Sequence, residues 1–283
     1  MTDPSRIRRA YSTTDPLQTR IDTHARYGIH RGDVFQELTA WAQHRVVPGK
    51  ILDVGMGTGH WYRAIQSQLS ESSYDYEGID SSPAMAAAMA GQVAGAPNAR
   101  VRIADAQCLP FADASFHWVG LHFMLYHVPH PGRALQEAWR VLKPGGIVMT
   151  LAHGPENLSA LMSLHSEALA QCLRRSVPDT PSMWAYTLDN GGIYFPGDAV
   201  INTVEFPSGL RFPTVDPALD YYLSGFIERN LSASEIPRKS VRSCLEKHVR
   251  ARVQDIVSAH GYFEIPGRTG WLWAVKPEFQ AHP

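Results

Sequence analysis

The chain has 283 residues, 26 Lys and Arg against 27 Asp and Glu, and a net charge of −1. That balance lacks the basic footprint of a nucleic-acid binder, and no apolar run reaches the about 20 residues of a membrane span. The length allows one domain with ample core and an elaboration.

Residues 1–47 read as an N-terminal arm. Its opening, Met1 to Arg9, is polar and has no apolar signal core. Two polar and aromatic stretches follow, around Tyr11 and around Tyr27. Then Val34, Phe35, Leu38, Trp41 and Ala42 recur at helical spacing before Pro48-Gly49.

Ile51-Leu52-Asp53-Val54 reads as a buried parallel strand. It runs into Gly55-Met56-Gly57-Thr58-Gly59, and His60 to Ile65 opens a helix. Glycines there let backbone N–H groups and a helix N-terminus come close to a ligand. A dinucleotide fingerprint would carry its third glycine where His60 stands, and no Gly-Lys-Ser/Thr ending follows. The Asp53 carboxylate would repel a pyrophosphate and could orient a cation such as an α-ammonium group.

Tyr76-Glu77-Gly78-Ile79-Asp80 reads as the next strand, with Ser82 as N-cap and Pro83 as first helical residue. An acid placed like Asp80 can accept both ribose hydroxyls of an adenosine, a geometry shared with NAD enzymes. Ala134, Leu135, Ala138, Val141 and Leu142 mark a helix closed by Lys143-Pro144-Gly145-Gly146, and Ile147 to Leu151 the fifth strand. Alternation of strand and helix from Ile51 to Ala152 calls for an α/β doubly wound sheet with helices on both faces. Its ligand site should lie beyond the carboxyl ends of the strands.

Leu161, Leu164, His165, Ala168 and Cys172 mark a further helix. Val200 to Phe206 and Leu210 to Phe212 read as two strands, and a long helix around Val241, Leu245, Val249, Val253 and Ile256 stops at Gly261. Cys108, Cys172 and Cys244 are odd in number and far apart, which suits a reducing cytoplasm and no zinc site. No metal ligand set is read anywhere else.

Asp53-Val-Gly-Met-Gly-Thr-Gly59, Asp80, Ala104-Asp105-Ala106, Leu109-Pro110-Phe111, Phe116-His117-Trp118-Val119, Tyr126-His127-Val128-Pro129 and Arg140 to Gly146 together resemble the class I S-adenosylmethionine-dependent methyltransferases, ubiquinone and menaquinone methyltransferases among them. The resemblance covers roughly residues 45–152. One departure is His117, where relatives usually carry Asp. Gly270 to Pro277 resembles the last strand of the family.

The resemblance implies a Rossmann-like sheet of seven strands, mostly parallel with an antiparallel last strand, under a helical lid. The chain then reads as one domain: arm 1–47, cofactor-binding core 48–154, lid insertions 155–200 and 213–260, and C-terminal strand 261–283. It implies S-adenosyl-L-methionine as cofactor, with Asp53, Gly55, Gly57 and Gly59 lining the methionine moiety. Asp80, with Ser81 beside it, would hold the ribose. Met85 would sit near the adenine, and Asp105 and Ala106 would meet its edge. Leu121 and His122 would present backbone to the ammonium group, and Tyr11 or Tyr27 would reach the methionine from the arm.

Methyl transfer is an in-line displacement on an activated donor, so the protein mainly positions the nucleophile and excludes water. A hydroxyl or amine acceptor also gains from a base, and histidine is the natural one near neutral pH. His127 and His153 follow the fourth and fifth strands on the rim where substrate meets donor, and Tyr126 stands beside them. The histidine–acid dyad of some sugar O-methyltransferases is not retained, because Tyr126 and Leu151-Ala152 occupy its positions. Lid aromatics such as Trp184, Tyr186, Tyr221, Tyr222 and Phe226 suit an apolar small molecule. The expectation is a cytoplasmic O- or N-methyltransferase of a small aromatic metabolite, monomeric or homodimeric. C-methylation of a quinone-like ring and a non-catalytic cofactor-binding partner are the alternatives.

Overall fold

The strand and helix alternation is realised in a computed structural model that describes residues 15–30, 32–174, 185–227, 231 and 238–278. Seven strands form one sheet: β1 Lys50–Val54, β2 Asp75–Asp80, β3 Ala99–Ile103, β4 Phe116–Gly120, β5 Leu142–His153, β6 Asn202–Phe212 and β7 Phe263–Val275. Their order is β3-β2-β1-β4-β5-β7-β6, and β7 alone runs antiparallel. That is the expected architecture.

Alternation within β1 sorts the helices into two layers. Ile51 faces a core with α2 (Val34–Gln43), α3 (His60–Gln68) and α4 (Pro83–Gln92). Leu52 and Val54 face the opposite core, against α5 (Pro131–Val141). A strand buried on both faces needs an apolar residue at nearly every position, which is what Ile51 to Val54 carries.

A third core sits beyond the carboxyl ends of the strands. The far halves of β6 and β7 project there and carry α6 (Ser159–Leu173), α7 (Val215–Leu223) and α8 (Lys239–His260). Helix α1 (Asp15–Tyr27) packs against the same cap, with Tyr27 on Phe212 at 5.3 Å between ring centroids. Among the described residues, no helix is long and apolar enough to cross a membrane.

Several sequence expectations need correction. The segments Val200–Phe206 and Leu210–Phe212 are one strand, because Gly209 at φ +140° lets the chain stay paired opposite Pro266 where a side chain would strike the Ile265 carbonyl. Strand β5 begins at Leu142, so Lys143 to Gly146 opens the strand instead of only closing the helix. In the stretch 185–200, Tyr186, Leu188 and Phe195 pack into the α5-side core, and the Tyr186 hydroxyl meets Thr150 Oγ1 at 2.7 Å. That stretch packs on the α5 face of the sheet, and its Leu188 N–H donates to the His153 carbonyl at 2.9 Å. The cysteines are not scattered either: packing of α6 on α8 joins Cys172 to Cys244 as a disulfide with Cα atoms 5.9 Å apart, and Cys108 is free and exposed.

His117 has a local reason. Its Nδ1 accepts the Lys50 N–H at 2.9 Å, fastening the start of β1 to β4. Burial, Lys143 and Lys50 hold its pKa below the ordinary value, so the acceptor form is the one favoured.

Candidate functional site

The glycine turn after β1 is wound in the left-handed region at each glycine, with φ +73° at Gly55, +55° at Gly57 and +78° at Gly59. Gly55 and Met56 both donate N–H to the Ile79 carbonyl, at 2.8 and 3.0 Å, so the turn is tied to β2. A Cβ on Gly55 would lie 2.9 Å from Met124 Cγ, whereas one on Gly57 would meet only Leu17 Cδ2 at 3.7 Å. Gly55→Ala should therefore cost about 1–3 kcal/mol and Gly57→Ala about 1–2 kcal/mol, since the first adds a clash to the backbone strain. Chemical denaturation of both variants checks the ranking.

Asp80 holds the same turn from the next strand end. Its Oδ2 accepts the Gly57 N–H at 3.0 Å and its Oδ1 accepts the Ser82 N–H at 2.8 Å. Burial raises its pKa, and those backbone donors work against the rise. The Ser82 hydroxyl in turn accepts from Met85 N–H at 3.4 Å, capping α4 as expected. Ser81 is exposed beside it.

Asp53 is placed differently from a residue that opens onto a ligand. Its carboxylate is 2% exposed and accepts the Tyr76 hydroxyl at 2.8 Å. Burial, reinforced by Asp80 and opposed by the Tyr76 bond, pushes its pKa up from 3.8 to about 7. It supports the turn from within the core.

Other sequence candidates divide between wall and core. Asp105 is exposed and accepts the Gln107 N–H at 2.9 Å, while Ala106 beside it is buried. Met85 is core. Leu121 and Phe123 donate N–H to Met149 and Leu151, continuing the β4–β5 pairing past the strand end. The His122 side chain turns back into the core, edge-on to Trp61 at 4.4 Å, and burial lowers its pKa to about 3. Tyr27 lies against Phe212, and Tyr11 lies outside the described residues.

Phe123 takes φ +52°, unusual for an aromatic residue, and its ring stacks on His153 at 4.6 Å. Tyr126 and His127 lie in the short 3₁₀ turn Leu125–His127 with rings edge to face at 4.5 Å. Tyr126 is also near-parallel to His153 at 6.3 Å, so the three rim candidates do come together. His153 Nδ1 lies 3.1 Å from Thr269 Oγ1, which is 2.7 Å from Ser208 Oγ. Burial, with His24 second, lowers the His153 pKa to about 3.

His24 was not singled out by the sequence. It projects from α1 toward Tyr221 of α7, with Nε2 3.3 Å from the phenol oxygen. Desolvation by the protein around it, then Arg20, lowers its pKa to about 4, although the residue as a whole is exposed. Nothing local in Thr23-His24-Ala25 signals this; only docking of α1 under the cap does. A separate groove of about 350 Å³, lined by Lys50, Arg102, Phe111 and Phe116, opens at the amino ends of the strands, away from all these groups.

Residues 51–146 match the family described as a methyltransferase domain. Over 117 residues the chain is 37% identical to a demethylmenaquinone methyltransferase of Staphylococcus aureus, covering 41% of this chain and 48% of that protein. The chain thus spans about half the length of the curated relatives it matches. Among solved structures it is similar to the [4+2]-cyclase SpnF, at 17% identity and TM-score 0.58 over 98% of each chain. It is likewise similar to a phosphoethanolamine N-methyltransferase of Haemonchus contortus, at 18% identity and TM-score 0.55 over 96% of this chain and 59% of that one. Likeness at that identity speaks for the fold. The domain match falls on the glycine turn and the strand ends after it, so residues 51–146 are similar to a methyltransferase domain and the whole chain shares the fold of those structures.

Proposed function

We propose that the chain binds S-adenosylmethionine and transfers its methyl group to a hydroxyl or nitrogen of a small, aromatic metabolite. The carrying observation is the convergence of two imidazoles of lowered pKa, His153 from β5 and His24 from α1, beside Phe123, Tyr126 and Tyr221. The strand ends next to them fit the cofactor: three side-chain-free glycines and a carboxylate whose two oxygens are already oriented by backbone donors. The Haemonchus enzyme was solved with S-adenosylhomocysteine, which supports the same ligand here.

In this reading Gly55, Gly57 and Gly59 line the methionine moiety, Asp80 accepts the ribose hydroxyls, and Asp105 and Ala106 meet the adenine edge. Backbone at Leu121 and His122 faces the ammonium group. The bound cofactor supplies a methyl carbon already activated by its sulfonium. His153, whose Nδ1 lies 3.1 Å from Thr269 Oγ1, takes the proton of the acceptor as the methyl group arrives. Low basicity in the free site is no obstacle to this role. The bound cofactor would bring a positive charge, and its neutralisation on methyl transfer would make an imidazolium on His153 easier to form.

Isothermal calorimetry with the cofactor, followed by transfer of labelled methyl to a panel of phenols, heteroaromatic amines and quinols, tests the reading. Product from phenols or amines supports it, whereas product from quinols alone favours C-methylation, the reading suggested by the Staphylococcus relative. Cofactor binding with no product across the panel favours a non-catalytic partner. Asp80→Ala should weaken cofactor binding about 10- to 150-fold, the loss of a charged hydrogen bond worth roughly 1.5–3 kcal/mol. Unchanged affinity in calorimetry removes Asp80 from the ribose site.

A further inference from the structure

Outside the candidate site, one cluster of chemically capable side chains stands apart. Cys244 and His248 are four residues apart on α8, hence on one face of that helix, and Cys172 of α6 meets them there. The two sulfurs and an imidazole nitrogen all lie within 4.8 Å of one another, and all three residues are half-buried. A disulfide has no use for a third donor, whereas a thiophilic cation does. With Zn–S near 2.3 Å and Zn–N near 2.0–2.1 Å, a tetrahedral site sets its ligand atoms roughly 3.5–3.8 Å apart. The imidazole already stands within reach, and Cα atoms 5.9 Å apart leave side-chain rotation enough to separate the sulfurs.

We propose that in its dithiol state the chain holds one divalent cation of the zinc type on Cys172, Cys244 and His248, tying α6 to α8. Half-burial leaves the fourth position to water. The disulfide state excludes the metal, because neither bonded sulfur is a thiolate. Passage between the states needs a reductant: a phosphine, with one water, converts the disulfide into two thiols and becomes the phosphine oxide. Metal binding then releases the two thiol protons to solvent. Helices α6 and α8 help build the cap beyond the strand ends, so the cation would stiffen the cap without touching the reacting groups.

The full chain, purified metal-free, is titrated with Co²⁺ before and after phosphine reduction. The reduced protein should take up one Co²⁺ with sulfur-to-cobalt charge-transfer absorption, and the oxidised protein none. His248→Ala should bind at least tenfold more weakly, Cys172→Ser should lose the sulfur-to-cobalt intensity, and Cys108→Ser should behave as wild type. Absence of that absorption in the reduced wild type, or undiminished affinity in His248→Ala, overturns the proposal. Oxidised and reduced wild type share one sequence, so their comparison holds even where a cysteine variant fails to fold.

Discussion

His153→Ala is expected to lower kcat about a hundredfold or more while leaving cofactor affinity within twofold, the usual scale for a lost general base. The asymmetry follows from position. His153 stacks on Phe123 and is anchored to Thr269 of β7 at the end of β5, whereas the groups assigned to the cofactor lie in the glycine turn and at Asp80. Burial and His24 hold its pKa at about 3, so the ring stays neutral and competent well into acid. The kcat/KM profile of the wild type should therefore show no loss near pH 6.5 arising from this residue. An acid limb at that pH that disappears in His153→Gln would contradict the assignment, as would an unchanged kcat in His153→Ala.

Asp53→Asn is expected to remove most of a pH-dependent stability loss. The folded-state pKa of Asp53 is raised from 3.8 to about 7 by burial, so the native protein holds a proton that the unfolded chain has given up. Stability from this group is complete below pH 3.8, declines as pH rises, and is lost once pH passes about 7. Three pKa units correspond to on the order of 4 kcal/mol. Asn cannot ionise, yet its carbonyl can still accept the Tyr76 hydroxyl. Denaturation midpoints of wild type and variant should thus diverge between pH 4 and 8, with the variant the more stable at pH 8. Parallel curves across that range would show that Asp53 ionises freely in the fold. A kcat/KM limb near pH 7, if present, should move in this variant and not in His153→Gln.

The glycine turn was legible because its requirements are local. A turn with three left-handed positions must carry glycine at each, and a strand buried on both faces must be apolar along its length. The strand-end acid and its Ser-Pro cap are likewise consecutive: Ser82 caps α4 as expected, and Asp80 fastens the glycine turn. Asp53 shows the limit of such reading. The same residue type just before the turn fits a cation in solution, but alternation along β1 turns it inward to Tyr76.

Local order thus determined the fold class, the glycine turn and the acid at the end of β2, since each depends on backbone conformation and on burial within a few residues. Tertiary structure alone decided the rest. His24 meets Tyr221 across 197 residues, His153 meets Thr269 across 116, and Cys172 meets Cys244 across 72. The His153–Thr269 pair follows from the antiparallel register of β5 on β7, and the other two form only when the helices of the cap and α1 pack on the extended β6–β7 ribbon. The cap's core is assembled from helices whose apolar faces record that they are buried, not which partner buries them.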